Sequence, residues 1–253
     1  MDRAGRDASP LSRLALYPVT TTLPYETRHD QGATMPMHRH REPYAALIVD
    51  GAYVESSVDG GVPCRPGTLV LHPAYHAHGD RFGRHGARVL NVALSTSWRG
   101  ARAEVFSVPN LREAIQIMRH APDRLNELVS ASTSHETLDL HDWQAAFVAA
   151  LGESDEPVGS IARRLGVSAA HASRALRVSF GMSPQCLRRE LRWRRALALL
   201  RTPTPLRDVA ALADFADQSH FTRIVRAHSG LTPTALRRQI KCVQDATPDS
   251  LAK

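Results

Sequence analysis

Apolar residues recur in two rhythms along the chain. In the first hundred residues they form short unbroken runs, Ala45–Val49, Thr68–Leu71 and Arg88–Leu94, bounded by Gly and Pro. Runs this short predict strands, and several at close spacing predict a small β-barrel or jelly roll. Further along the spacing lengthens to three and four. Leu111, Ile115 and Met118 share a helical face, as do Leu125, Leu128 and Val129, and then Trp143, Phe147, Ala150 and Leu151. These helices either pack within the chain or pair with a second subunit. The expected class is an α+β multidomain protein: a barrel over 20–95, a helical linker and dimerisation segment over 96–156, an all-α domain over 157–241, and an unstructured tail over 242–253. Glu153-Ser154-Asp155-Glu156-Pro157 reads as the junction between the halves.

The last third repeats itself. Gly181-Met182-Ser183-Pro184 returns as Gly230-Leu231-Thr232-Pro233, and Arg174 returns as Arg223 at the same offset. Ala162 pairs with Ala210, one residue closer, so the second copy carries an extra residue in its turn. Each copy predicts helix, turn, helix. Gly166 stops the first helix, Ser168 caps the next, and Gly181 ends it. Asp217 and Gly230 play the same parts in the second copy. Ser183-Pro184 and Thr232-Pro233 each open a further helix with a hydroxyl cap and Pro in the first turn.

Charge changes the picture. The formal net charge is +7, but residues 157–241 hold 16 Lys/Arg against 4 acids, whereas residues 1–156 hold 15 against 19. A basic third on a mildly acidic body predicts a polyanion partner for that third alone. Arginine supplies nearly all of it, which suits bidentate contacts to phosphate and guanine. Three scattered cysteines, Cys64, Cys186 and Cys242, exclude a disulfide framework and fit a reduced, cytoplasmic protein. No run is apolar enough to span a membrane, and Met1–Pro10 lacks the apolar core of a secretory signal.

The stretch Asp217-Gln218-Ser219-His220-Phe221-Thr222-Arg223, followed by Gly230-Leu231-Thr232-Pro233, resembles the signature of the AraC/XylS transcription regulators. The resemblance covers about 157–241 and implies two helix-turn-helix units joined by one long helix, about Gln185 to Arg201, with their second helices entering successive major grooves about 34 Å apart. By position, Ala170, Ser173 and Arg174 would read DNA from the first unit, and Gln218, Ser219, Thr222 and Arg223 from the second. Arg174 and Arg223 are either guanine readers or phosphate clamps, and Gln218 suits adenine. Arg188, Arg189, Arg194, Arg195, Arg237 and Arg238 are expected to position the backbone or simply to lie on the surface. Two positions depart from the pattern: Asp214 stands at a usual Gly, and Val225 at a usual Phe.

Seven of the 13 histidines fall between His29 and His85. Gly32, His38-Arg39-His40, Tyr44 and Gly51, then Gly67, Pro73 and His78, have the spacing of the two cupin motifs, so residues 20–95 resemble a cupin barrel, a domain many AraC-family regulators carry. The resemblance implies that His38, His40 and His78 converge and suit a divalent transition metal. Tyr44 occupies the acidic ligand's place, so the set either holds a metal or is a remnant lined by neutral histidines around a small-molecule pocket. His72 and His76 read as supporting or surface groups. The leading reading is a sequence-specific transcription regulator with double-stranded DNA, a small effector, RNA polymerase and a second copy as partners, and with no required cofactor. The competing reading is a metal-dependent cupin enzyme, a dioxygenase or isomerase, tethered by its basic domain.

Overall fold

The computed structural model describes residues 15–17, 23–94, 100–134 and 139–245. Its sheet is organised by two long strands, β4 (Tyr44–Ser57) and β7 (Ala77–Ala93), which pair antiparallel along most of their length. Around them run β1 (Ala15–Tyr17), β2 (Tyr25–His29), β3 (Thr34–His40), β5 (Gly60–Cys64), β6 (Thr68–His72), β8 (Glu104–Ser107) and β9 (Thr133–Ser134). The first half of β4 pairs with β6 and its second half with β5. The first half of β7 pairs with β3 and its second half with β2. All pairings are antiparallel except β1 with β3.

The sheet bends where β4 and β7 slip register, between Ile48 and Asp50 and between Gly51 and Tyr53. Gly51 and Gly86 both take left-handed backbone there, and a side chain on Gly51 would collide with the Gly86 carbonyl. The run Tyr44–Ile48 is buried on both faces, which is why it reads as continuous rather than alternating apolar sequence. Ala45, Leu47, Leu69, Leu71, Leu90 and Val92 meet two helices, α1 (Leu111–His120) and α2 (Leu125–Ala131). Tyr44, Ala46, Ile48, Val70 and Val89 point the other way, toward Tyr53 and Phe82.

The middle segment is therefore divided rather than forming one linker. Strands β8 and β9 extend the sheet beyond residue 95, and α1 and α2 cover it, so their apolar faces are occupied within the chain. Helix α3 (Asp142–Glu153) belongs to the following domain, where Phe147 and Leu151 pack with Ile161, Leu176 and Phe180. The acidic stretch after it is consequently no free junction. Asp155 pairs with Arg192 and Glu156 with Arg164, binding the stretch to the basic helices it precedes.

The remaining helices are α4 (Val158–Arg164), α5 (Ala169–Phe180), α6 (Pro184–Leu200), α7 (Leu206–Leu212), α8 (Gln218–Ser229) and α9 (Pro233–Asp245). Caps fall where the sequence puts them. Ser168, Ser183 and Asp217 accept from backbone N–H groups two or three residues into α5, α6 and α8, and Gly181 and Gly230 close α5 and α8 in left-handed conformation. Helix α9 runs four residues past the expected boundary, and the tail residues Thr247 to Ser250 lie outside the described residues. Among the described residues no helix is long and apolar enough to cross a membrane.

Candidate functional site

Helices α5 and α8 each bury one stripe and expose the other. Ala172, Leu176 and Phe180 face inward on α5, as Phe221 and Val225 do on α8. The outward stripes carry the expected reading residues. Ala170, Arg174, Gln218, Ser219 and Arg223 are exposed, while Ser173 and Thr222 are half-buried. Ser173 Oγ accepts from Arg177 Nη1 at 3.1 Å. Val225 is fully enclosed, so the core of the second pair closes without the usual Phe. Asp214 takes φ +57, close to the +71 of Gly166 in the first copy, and its carboxylate is held by Arg195. Asp tolerates that conformation better than most residues.

The six arginines expected along the DNA backbone divide. Arg188 donates to the Glu156 carbonyl, Arg194 pairs with Asp59 of the sheet domain, and Arg195 joins Asp214 to the Gly152 carbonyl. These three hold the chain to itself, because acids and carbonyls from outside α6 reach them first. Arg189 and Arg237 are half-buried with Nε enclosed and without a hydrogen-bond partner, and Arg238 is exposed.

The histidines converge on a cavity of about 230 Å³ inside the sheet domain. Residues 38 and 40 point into it from β3, Tyr44 and Glu55 from β4, His72 from β6, and His78 and Asp80 from β7. His38 Nδ1 lies 3.0 Å from the Pro36 carbonyl, His38 and His40 meet through Nε2 atoms 3.1 Å apart, and His78 Nε2 is 3.1 Å from the Tyr44 hydroxyl. One donor atom from each of His38, His40 and His78 lies within 4.8 Å of the others.

Burial keeps these rings neutral. It lowers His38, pushes His40 down to about 3 with help from His38, and holds His72 and His78 well below their ordinary value, with neighbouring imidazoles adding to the effect. As a donor set the three imidazoles fit a transition metal. Tyr44 does not complete the set as an anion, since burial and then Glu55 and Asp80 hold its phenol well above its ordinary value.

One strand carries this cavity to the helical domain. Because side chains alternate along a strand, Arg39 points opposite to His38 and His40. It is 1% exposed and pairs with Glu190, 3% exposed, on α6. Its Nη1 also donates to the Tyr75 carbonyl at 2.8 Å, which accepts a second hydrogen bond from Trp193 Nε1 at 3.2 Å. Tyr75 takes φ +62, a costly conformation for an aromatic residue, and its own N–H donates to the His40 carbonyl at 2.7 Å. Its ring packs in the core of α6 to α9 with Trp193, Val209 and Phe221. His76 follows at the same joint, beside Glu190, Trp193 and Arg194.

Residues 161–239 match the helix-turn-helix domain family. This part of the chain is an AraC-type DNA-binding domain. Among solved structures the chain is similar to ToxT from Vibrio cholerae O395, at 10% identity and a TM-score of 0.40, over 86% of this chain and 97% of that one. It is also similar to a transcriptional regulator with an AraC-type domain from Chromobacterium violaceum, at 27% identity and a TM-score of 0.35, over 39% of this chain and 88% of that one. A DNA-binding transcriptional dual regulator from Escherichia coli K-12 aligns at 21% identity and a TM-score of 0.37, over 42% of this chain and 99% of that one. No curated protein matches the sequence.

The sequence pattern named the outward residues of the AraC-type domain and three of the cavity's histidines. It missed Glu55, Asp80 and the inward position of His72, and it missed the Arg39–Glu190 pair. Two signals were present. Arg39 sits between two histidines that share a face, and Glu190 is the lone acid among the five arginines of α6.

Proposed function

We propose that the chain is a sequence-specific regulator whose cavity takes a small effector or metal ion and reports its occupancy to the AraC-type domain through β3. The observation that carries this reading is the alternation on that strand. His38 and His40 line the cavity, and Arg39 between them is locked to α6, the helix that joins the two helix-turn-helix pairs. A ligand that moves either histidine moves Arg39 by the same backbone. Tyr75 tightens the link, since its N–H holds β3 while its carbonyl holds Arg39 and Trp193. Arg174 and Arg223, one per unit, are the residues assigned to base contact, and Gln218, Ser219 and Thr222 complete the second reading surface.

DNase footprinting of the DNA flanking the gene, across a salt series, tests the DNA half of the reading. Two protected major-groove segments about 34 Å apart that persist as salt rises are expected. Protection that is diffuse and vanishes with salt would reduce the domain to a general polyanion surface at that locus. The coupling is tested by a double-mutant cycle. Ala46→Leu intrudes on the cavity and is expected to change operator affinity. In a chain where Arg39 and Glu190 are both replaced by Met, the same intrusion is expected to leave affinity unchanged. Equal effects in both backgrounds would sever the cavity from the DNA-binding helices.

A further inference from the structure

Tyr44 leaves the three-histidine set without a carboxylate, yet the same cavity holds two. Glu55 on β4 and Asp80 on β7 stand directly opposite each other in register, so both side chains leave the sheet on one face. Both line the cavity beside His72 and His78. Glu55 Oε2 lies 3.5 Å from His72 Nε2, and one donor atom from each of Glu55, His72 and His78 falls within 4.8 Å of the others. These three residues are between 1% and 3% exposed. Asp80 is partly exposed as a residue, but its Oδ1 is enclosed and without a hydrogen-bond partner, as are His72 Nδ1 and His78 Nδ1.

Charge decides what this arrangement suits. A carboxylate enclosed among neutral imidazoles is stable only with a proton or a cation beside it. Two carboxylates in one enclosure together carry the charge that a dication balances. Calcium and magnesium prefer an all-oxygen shell, whereas two imidazoles and a carboxylate suit first-row transition metals. We propose that Glu55, His72 and His78 bind a divalent transition metal ion, with Asp80 balancing its charge from the facing strand. This set differs from the one the cupin spacing implies and shares only His78 with it. In the other set His38 and His40 already engage each other through their Nε2 atoms.

The inference rests on the sensing role proposed above only for its consequence at DNA; the site itself stands on the cavity. Full-length protein purified without an affinity tag and stripped by a chelator is titrated with Co²⁺ alone, followed by its visible absorption, and then with Zn²⁺ in competition. One equivalent is expected to bind. Glu55→Gln and His72→Gln are each expected to weaken binding by more than about 10-fold, while His38→Ala and His40→Ala leave the spectrum unchanged. Should the Gln substitution unfold the sheet domain, as circular dichroism would report, Glu55→Asp replaces it. That variant keeps a carboxylate on a shorter arm and is expected to bind more weakly with an altered spectrum.

Loss on substituting His38 or His40, with Glu55 and His72 variants silent, would overturn the assignment in favour of the other trio. Failure of the wild type to bind either metal would overturn it outright. Operator binding measured on the same samples, with and without Zn²⁺, separates the two readings. Metal bound with operator affinity unchanged keeps this site and removes its regulatory role.

Discussion

Helix α5 ends at Gly181, where an added methyl would stand 2.7 Å from Met37 Cε and 3.1 Å from Ser56 Cβ of the sheet domain. Helix α8 ends at Gly230, where the nearest atom, Arg41 Nη2, is 3.9 Å away. The two glycines serve the same local purpose, a left-handed helix end, in nearly the same backbone conformation. Their surroundings differ because the first unit presses its C-terminal turn onto β3 and β4, while the second takes Tyr75 into its core. A repeated local design has therefore been anchored twice, once by surface contact and once by an inserted side chain. Helix α6 joins the two, and its Glu190 secures both to β3.

That shared anchor offers the largest expected effect. Glu190→Leu leaves Arg39 charged and unpaired in the interior, which is expected to cost about 3–5 kcal/mol by thermal or denaturant unfolding. Replacing both partners by Met is expected to recover most of that loss. Equal destabilisation by the single and double variants would show that the pair is not what holds α6.

The two helix-ending glycines differ by a smaller amount. Gly230→Ala is expected to cost about 1–2 kcal/mol from the left-handed backbone alone. Gly181→Ala carries the same strain and adds about 1–3 kcal/mol of overpacking against Ser56 and Met37. Matching melting temperatures for the two variants would remove the contact at Gly181 from the account.

At the DNA surface the units are expected to behave alike. Arg174→Ala and Arg223→Ala should each weaken operator binding by about 1–3 kcal/mol and relax specificity at one position. A uniform loss across sequences, with a shallower salt dependence, would make either arginine a phosphate clamp.

Acid should separate the units again. His228 on α8 is buried against Trp193, and burial, then Arg39 and Arg189, hold its pKa well below the ordinary value near 6.5. The unfolded chain takes up that proton first, so stability is retained above about pH 6.5 and falls below it, by about 1.4 kcal/mol per pH unit for each such group. Between pH 7 and 5 the amides of α8 are expected to lose hydrogen-exchange protection before those of α5, whose His171 is exposed. Simultaneous loss in both helices would contradict the assignment to His228.

The smallest effect belongs to the turn. Asp214→Gly relieves a left-handed backbone but removes a half-exposed ion pair with Arg195. The two changes oppose, and a shift under about 1 kcal/mol is expected.

What could be read in advance follows from range. Caps at Ser168, Ser183 and Asp217 act on amides two or three residues away, so a local pattern suffices to place them. The exposed stripe of α8 follows from Asp217 to Arg223 in the same way. The ion pairs of the Glu153–Pro157 stretch were hidden for the opposite reason. Its acids look like a solvated junction in one dimension, and only folding brings Arg164 and Arg192 to them. The ion pair of Arg194 was hidden in the same way, its partner Asp59 being 135 residues distant.

By itself the amino-acid sequence determined the two helix pairs, their capped ends, the basic character of the third that carries them, and a strand-rich half holding clustered histidines. These rest on periodicity, short-range hydrogen bonding and net charge, all of which survive without knowledge of the fold. Tertiary structure decided which arginines pair within the chain, which carboxylates enter the cavity, and that Arg39 meets Glu190 across 151 residues. Each of those depends on burial, and burial is a property of the packed chain. A charge is cheap on a surface and costly inside, so its role stays undefined until the packing chooses its neighbours.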